Sequence, residues 1–432
     1  MSPGATPPRP FHAVTVVWGR AYIELFLDVA VPNQLTPGNL GALPTGSRYR
    51  VFTAQEDVEA LAASPLLGRV KALMPVDLVV MPELSGSSTE ALSLMTAGHC
   101  RALAEAREAH AALVFLNADH FMSEGDLAAV VRRHEIGSRA AASITVRLNK
   151  DTFMASVQAR GGSRCVHPRE LVSLALDHLH PFTCAHMING ESSARRPIGV
   201  CWNVPNEGIL ARGFYLHPLM VTPLRREVLP VGTIDQYYLF HSCPVRERVR
   251  VVSDSDEFCL FELSHVEAAA TEITSGGIPP WRAATVLSRC DSHQRSYWAT
   301  PIRLHAHNIG AAWRSVEEES ARFAQRAIRL RVTALWMYRS SRSVRPFRRR
   351  VGAFGKRLRR AAKTLSAKRV QRSVTLAARR TRKLPERTGR AGRRVLRRAR
   401  RTVALLTHSA ARPLYRVRKW TARAGRRALR RA

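Results

Sequence analysis

The strongest chemical signal in the sequence is a carboxylate that follows a run of apolar residues. Residues 113–116 are Leu-Val-Phe-Leu, and Asn117, Ala118, Asp119 and His120 come directly after them. A carboxylate at the end of a buried strand can coordinate Mn²⁺ or Mg²⁺, and the cation can neutralise a diphosphate leaving group. The same residue can also simply end a strand and cap a turn, and so short a motif does not separate the two readings.

Two histidines late in the sequence are further candidate ligands. His305 and His307 are separated by one residue. Alternate residues of a strand lie on one face, so the two imidazoles can converge on a cation. Together with Asp119 they form the metal set that we predict. The alternative is that they are two partly exposed histidines near the end of a domain.

Three aspartates are candidates for a general base. A reaction that deprotonates an acceptor hydroxyl needs one carboxylate within hydrogen-bonding reach, and Asp235, Asp254 and Asp256 can supply it. Their spacing favours none of the three. The acids clustered at residues 254–257 repel one another unless they are solvated or bound to a cation. The alternative is a solvated turn after a strand.

Residues 11–150 alternate between apolar runs and amphipathic segments. The pattern predicts strands at residues 13–17, 49–52, 76–81, 112–116 and 140–146, with helices between them. This order is typical of a doubly wound, mostly parallel α/β sheet. Ligands of such sheets bind at the carboxyl ends of the strands. Three polar or aromatic side chains follow predicted strand ends and can face one crevice: Trp18, Thr53 and Asp119.

The rest of the chain divides into three further segments. Residues 151–310 mix strands, turns and a helix that starts at Pro168, and we expect them to complete the cleft as an α+β half. The sequence of residues 311–338 predicts a connecting helix. Residues 339–432 form an arginine-rich tail.

The formal net charge of +35 lies entirely near the carboxyl end of the chain. Residues 331–432 contain 36 Lys and Arg and a single acid, Glu386, whereas the preceding residues contain 32 of each sign. Apolar residues recur at helical spacing in the tail: Phe347, Val351, Phe354 and Leu358. A basic amphipathic helix of this kind can lie on an anionic membrane. Nucleic acid is a second partner for such a charge, and a solvated, disordered extension is the remaining alternative.

Several classes of protein and location are disfavoured. The sequence has no Gly-x-Gly-x-x-Gly, Walker or Gly-x-Ser-x-Gly motif, which argues against dinucleotide oxidoreductases, P-loop enzymes and serine hydrolases. It has neither an apolar signal region at its start nor an uncharged apolar run of the length of a membrane span. Its seven cysteines are scattered, so a reducing, cytoplasmic location is expected.

Residues 11–310 resemble bacterial glycosyltransferase-like proteins of the GT-A nucleotide-sugar-transferase class. The resemblance rests on five short segments: Val17-Trp18-Gly19, Leu35-Thr36-Pro37-Gly38-Asn39-Leu40, Thr53, Phe115-Leu116-Asn117-Ala118-Asp119 and Gly137-Ser138-Arg139-Ala140. It implies a nucleotide-sugar donor, bound by Trp18, Thr53, Asn117 and Asp119. It also implies a glycan or lipid-linked acceptor, and with the basic tail it suggests a location on the inner face of the membrane.

One position departs from the family's pattern. Members of the class carry an Asp-x-Asp element after the central strand, and Asn117 stands here where the first acid is expected. Either Asp119 binds the metal with partners from elsewhere, or this chain uses no metal. The departure also supports an alternative hypothesis, a catalytically inactive protein whose basic tail binds nucleic acid or anionic envelope components.

Overall fold

The structure is a computed structural model, and it describes residues 9–85, 91–224, 239, 242–269 and 273–335. These residues belong to one unit of the chain, Met1–Arg342. The predicted base Asp235 and the predicted tail, residues 339–432, lie outside the described residues.

The strands are short, and most of those in the first half are wholly buried. In chain order they are β1 Phe11–Val16, β2 Arg48–Thr53, β3 Val76–Val80, β4 Ala112–Phe115, β5 His120–Met122, β6 Ala140–Ser143, β7 Val146–Asn149, β8 Ser192–Ala194, β9 Gly199–Val204, β10 Gly208–Gly213, β11 His217–Val221, β12 Val249–Val251, β13 Leu260–Ser264, β14 Ile273–Ser275 and β15 Ile302–His305.

The helices alternate with the strands at first and gather in pairs later. They are α1 Arg20–Leu25, α2 Val31–Gln34, α3 Val58–Ala62, α4 Pro65–Leu73, α5 Ala91–Glu108, α6 Asp126–Glu135, α7 Lys150–Ala159, α8 Pro168–Leu176, α9 Pro181–Cys184, α10 Pro280–Leu287, α11 Ser292–Ala299 and α12, residues 311–335. Helix α8 begins at Pro168, as the sequence predicts.

A seven-stranded sheet forms the centre of the described unit. Its strand order is β12-β6-β11-β4-β1-β2-β3. Strand β11 pairs antiparallel with both neighbours, and the other pairs are parallel. The prediction of a mostly parallel α/β sheet is therefore confirmed. Strands β11 and β12 come from the second half of the sequence, so both halves of the chain build this sheet.

Helices cover both faces of the sheet because its strands are apolar on both sides. Val14 of β1 packs in one cluster with Leu103 of α5, whereas Ala13 belongs to a second cluster with Val70 of α4 and Val130 of α6. Neighbouring residues of one strand thus contribute to opposite faces. Continuously apolar strands are expected for a parallel sheet covered on both faces.

The strand order defines one topological switch point. From β1 the chain proceeds to β2 and β3 on one side, and it then returns to place β4 on the other side of β1. In open α/β sheets the crevice outside the carboxyl ends of the strands at such a point is the usual ligand site. The segments that follow β1 and β4 therefore border the expected crevice.

A close approach between two backbones holds the loop after α2 against the start of α6. Gly38 has φ +73°, and a Cβ atom there would lie 2.6 Å from Cα of Gly125. The Gly125 N–H donates to the Pro37 carbonyl, and the Ala128 N–H donates to the Gly38 carbonyl. Only glycine tolerates both this conformation and this contact.

The second half adds three smaller sheets: β15-β10-β9, β5-β13-β7 and β14-β8. The first of them packs on an aromatic cluster in which the rings of Phe214 and Trp298 stack 4.6 Å apart. The second, mixed sheet joins the chain just after β4 to β13, and this pairing shapes the candidate site. None of the helices among the described residues has the length and apolarity needed to cross a membrane.

Candidate functional site

The carboxyl ends of β1 and β4 carry the residues that the sequence indicates. Trp18 follows β1 and packs, partly buried, against the core. Gly19 next to it has φ +77°, and its N–H donates to the Asp57 carboxylate over 2.7 Å. Asn117 and Asp119 follow β4 and are both partly accessible. The structure therefore places Trp18, Asn117 and Asp119 at the switch point.

Asp119 is held in place by the mixed sheet. The Leu263 N–H donates to its carbonyl over 2.8 Å, and β13 pairs antiparallel with β5 directly after it. This register places Glu262 opposite His120 and brings a second carboxylate close to Asp119. Arg147 of β7, the other neighbour of β13, forms an ion pair with Glu262 at 2.7 Å.

These neighbours change the acidity of Asp119. Burial and the negative charge of Glu262 raise the pKa of Asp119 to about 7, and Arg147 opposes this change. Partial burial and then the two carboxylates also raise the pKa of Tyr22, which α1 places near them. A carboxyl group with a pKa near neutrality can take or release a proton at working pH, and such groups concentrate at functional sites.

A pocket adjoins this pair of acids. Arg147 and Glu262 line it together with Phe182, Thr183 and His186. The guanidinium of Arg147 lies over the Phe182 ring, 4.4 Å from the centroid of the ring. The backbone N–H of Arg147 donates to the Thr183 hydroxyl. The cation–π contact and the ion pair with Glu262 hold the Arg147 side chain at the pocket wall.

Thr53 and Asn117, two further predicted nucleotide-binding residues, differ in their exposure to solvent. Thr53 is the last residue of β2 and is fully buried, and its hydroxyl has no hydrogen-bond partner among the residues that the structure describes. Asn117 is partly accessible, and its backbone N–H donates to Nδ1 of His120 over 3.3 Å. Their roles stay predictions.

Two further acids, Asp254 and Asp256, lie after β12, and His305 at the end of β15 lies beside them. Asp254, Asp256 and His305 each offer one ligand atom, and these atoms all lie within 4.8 Å of one another. Nε2 of His305 is 3.0 Å from Asp254 Oδ1 and 3.7 Å from Asp256 Oδ1. This triad is the group with metal-ligand composition among the described residues. The structure therefore brings His305 together with two of the predicted bases.

The remaining predicted ligands do not belong to that triad. The His307 side chain is exposed, and its carbonyl accepts a hydrogen bond from Nδ1 of His305 over 2.7 Å. Asp119 has Glu262 and Arg147 as its charged neighbours instead. The predicted set of Asp119, His305 and His307 is thus divided between two places in the described structure.

Charged partners keep the acids of the triad ionised. Arg169 of α8 donates from Nε and Nη2 to both oxygens of Asp256, and this lowers the pKa of Asp256. The hydrogen bond with His305 lowers the pKa of Asp254, and the same bond raises the pKa of His305. Both carboxylates are therefore weaker bases than Asp119.

Sequence reasoning missed Arg147, Glu262 and Arg169. Arg147 and Glu262 each stand as a single charged residue between apolar neighbours of a strand, in Val-Arg-Leu and Phe-Glu-Leu. A lone charge inside an apolar strand was the available signal, because a buried charge must have a partner. Arg169 lies in the first turn of a helix and carried no comparable signal.

Comparison with known proteins identifies no relative: no protein-family model matches the chain, and no curated protein sequence matches it.

Proposed function

We propose that the protein is a glycosyltransferase-like enzyme of the GT-A type. It transfers a sugar from a nucleotide-sugar donor to a polysaccharide or lipid-linked acceptor, and the donor binds in the crevice between the ends of β1 and β4. The observation that carries the proposal is Asp119, an acid with a pKa near neutrality at the switch point of a mostly parallel sheet.

The paired acids suit a diphosphate site. Asp119 and Glu262 repel each other, and a divalent cation such as Mn²⁺ or Mg²⁺ between them would relieve that repulsion. Such a cation supplies charge neutralisation for the leaving diphosphate. Asp119 and Glu262 would hold it, and the residues after β1 would contact the nucleotide. Trp18 offers an aromatic face on which the nucleobase of the donor can stack.

Deprotonation of the acceptor hydroxyl requires a base with a pKa near working pH. Asp119 would be a ligand of the proposed cation and is therefore not assigned this role, and the lowered pKa values of Asp254 and Asp256 make these two weak bases.

Calorimetric titration of the full-length protein with UDP, GDP, ADP and dTDP, with and without Mn²⁺, tests the proposal. We expect one nucleotide diphosphate to bind, and Asp119→Asn to weaken that binding in Mn²⁺. The matched control is Asp77→Asn, because Asp77 lies near the amino end of β3 and pairs with Arg48 and Arg50. Absence of binding under every condition, or an equal loss in both variants, would refute the proposal.

The basic tail supports a location of the enzyme at a membrane surface. The 36 Lys and Arg residues of positions 331–432 and the apolar residues between them are suited to an anionic membrane surface, on the inner face in the cytoplasm. A lipid-linked acceptor would lie at the same surface. Nucleic acid is the alternative partner of this charge.

A further inference from the structure

We propose that Asp254, Asp256 and His305 form a binding site for a divalent transition-metal ion, in which the ion competes with the guanidinium of Arg169. The site lies beyond β12, at the opposite edge of the central sheet from β3. The proposal does not depend on the proposed glycosyl transfer.

The orientation of the His305 ring is the first argument. Nδ1 lies 2.7 Å from the His307 carbonyl oxygen, which can only accept, so Nδ1 carries a hydrogen. In the neutral ring Nε2 then has a lone pair, and this lone pair points at two carboxylates, 3.0 and 3.7 Å away. A lone pair facing carboxylates is repelled unless a proton or a metal ion lies between them, and the two carboxylates together with Nε2 offer three ligand atoms to such an ion. Metal-binding histidines typically donate their second ring N–H to a backbone carbonyl in this manner.

The spacing of the ligand atoms is the second argument. Two atoms that each lie about 2.1 Å from one metal ion are separated by about 3.0–3.4 Å in octahedral or tetrahedral geometry. The distance from Nε2 to Asp254 Oδ1 lies within that range, and the distance to Asp256 Oδ1 exceeds it by a few tenths of an ångström. A small rotation of the Asp256 side chain, which is 39% exposed, would bring its oxygen into range.

The backbone holds these ligands together independently of any ion. The segment after β12 runs alongside β15: the Arg303 N–H donates to the Ser253 carbonyl, and the Ser255 N–H donates to the Arg303 carbonyl, both over 2.9 Å. The Ser255 hydroxyl accepts a hydrogen bond from the backbone N–H of His305. The His305 ring is 2% exposed and packs edge-on against Trp313. Preorganised ligands lose little freedom when a metal binds.

Arg169 is the built-in competitor for the site. Its guanidinium binds both oxygens of Asp256 and also Oδ1 of Asn308, at 2.6 Å. Arg169 and both aspartates are more than a third exposed, which gives an ion a route from solvent. The imidazole nitrogen favours Mn²⁺ or Zn²⁺ over Mg²⁺ and Ca²⁺, which prefer oxygen ligands.

The test uses full-length protein stripped with EDTA and then dialysed. Titration with Mn²⁺, followed by loss of the EPR signal of the free ion, should show one bound equivalent that persists in Asp119→Asn protein, apart from any ion held by Asp119 and Glu262, and Zn²⁺ should displace it. Asp254→Asn and Asp256→Asn should each weaken Mn²⁺ binding by about tenfold or more. Arg169→Gln should tighten it, because the competing cation is gone.

The control is Glu257→Gln, a change of the same charge in the same loop. Glu257 pairs with Arg133 and is not part of the triad, so Mn²⁺ affinity should not change. Asp256→Asn and Arg169→Gln alter exposed side chains, and their folding can be checked by circular dichroism. A wild-type protein that binds neither Mn²⁺ nor Zn²⁺ would overturn the proposal, and so would Arg169→Gln protein that binds Mn²⁺ no more tightly. The triad would then be an ion-pair network centred on a protonated His305.

Discussion

The acidity of Asp119 depends on its burial and on two charged side chains that come from two strands. Burial and Glu262 of β13 raise its pKa, and Arg147 of β7 lowers it. The same pair can therefore hold a proton or a cation, and the competition between these two is the chemical property of the site. Two predictions follow from this arrangement at the scale of the residue.

The first concerns stability as a function of pH. Burial and the negative charge of Glu262 raise the pKa of Asp119 to about 7 in the folded protein, above the ordinary value of 3.8 that it has in the unfolded chain. The folded state then binds more protons between these values, so stability is lost as the pH rises from about 4 to about 7. Relative to Asp119→Asn, the wild type should lose up to about 1.4 kcal/mol per pH unit in that window.

Urea unfolding of both proteins between pH 4 and pH 8 measures this difference. Asn117→Ala is the control, because it changes the neighbouring side chain without removing a titrating group. Its difference from the wild type should not vary with pH. Parallel stability curves for the wild type and Asp119→Asn would contradict the pKa assigned to Asp119.

The second concerns the influence of Glu262. Glu262→Gln removes the neighbouring negative charge and frees the Arg147 guanidinium, so the pKa of Asp119 should fall. Carbonyl ¹³C NMR titration of aspartate-labelled protein measures this change. Glu257→Gln should leave the pKa of Asp119 unchanged, since Glu257 pairs with Arg133. An unchanged pKa in Glu262→Gln would show that burial alone raises it.

At the scale of the element, α5 packs against the neighbouring strands β1 and β4 of the central sheet. Gly98 of α5 faces β1, and a Cβ atom there would lie 2.8 Å from a methyl carbon of Val16 and 3.3 Å from the sulfur of Met81. The absence of a side chain lets the helix approach the end of β1 closely. Val16 precedes Trp18 by two residues, so this contact also positions the segment that borders the expected crevice.

Gly98→Ala should therefore destabilise the protein by about 1–3 kcal/mol, because the added methyl group overpacks the interface between α5 and β1. Gly68→Ala is a matched control. Gly68 lies within α4, and nothing lies within 4 Å of its added Cβ, so the variant should be more stable by about 0.5–1 kcal/mol. Thermal or urea unfolding measures both. A neutral Gly98→Ala would mean that α5 can move away from β1 without cost.

At the scale of the whole molecule, the charge is divided unevenly between the two parts of the sequence. The residues before position 331 carry equal numbers of acids and bases, and the remainder carries the full +35. A neutral body with a strongly basic tail can be located at an anionic surface without affecting the chemistry of the body.

Vesicle flotation tests this proposal. The full chain should float with vesicles that contain about 30% phosphatidylserine and not with neutral phosphatidylcholine vesicles, and high salt should release it, because each Lys or Arg near the surface contributes about 1 kcal/mol that salt screens. A variant lacking residues 343–432 should stay in solution. Equal flotation with both lipids would argue against the membrane, and release by added duplex DNA would favour nucleic acid.

The sequence by itself determined the local features of this protein. Apolar runs predicted β1 to β4 to within a few residues, and the same pattern placed Asp119 after β4. The predicted strand at residues 140–146 was wrong in one respect, because it is two strands, β6 and β7, in two different sheets. Apolar periodicity reports burial along a short segment, and it does not report a bend between two buried segments.

Only the tertiary structure decided which distant residues meet. Asp119 and Glu262 are far apart in the chain, and the antiparallel pairing of β5 with β13 brings them together. Asp254 and His305 meet because the segment after β12 runs beside β15. Strand order and register are set by long-range packing and hydrogen bonding, and a one-residue change of register would reverse the face of every side chain. No local spacing carries that information.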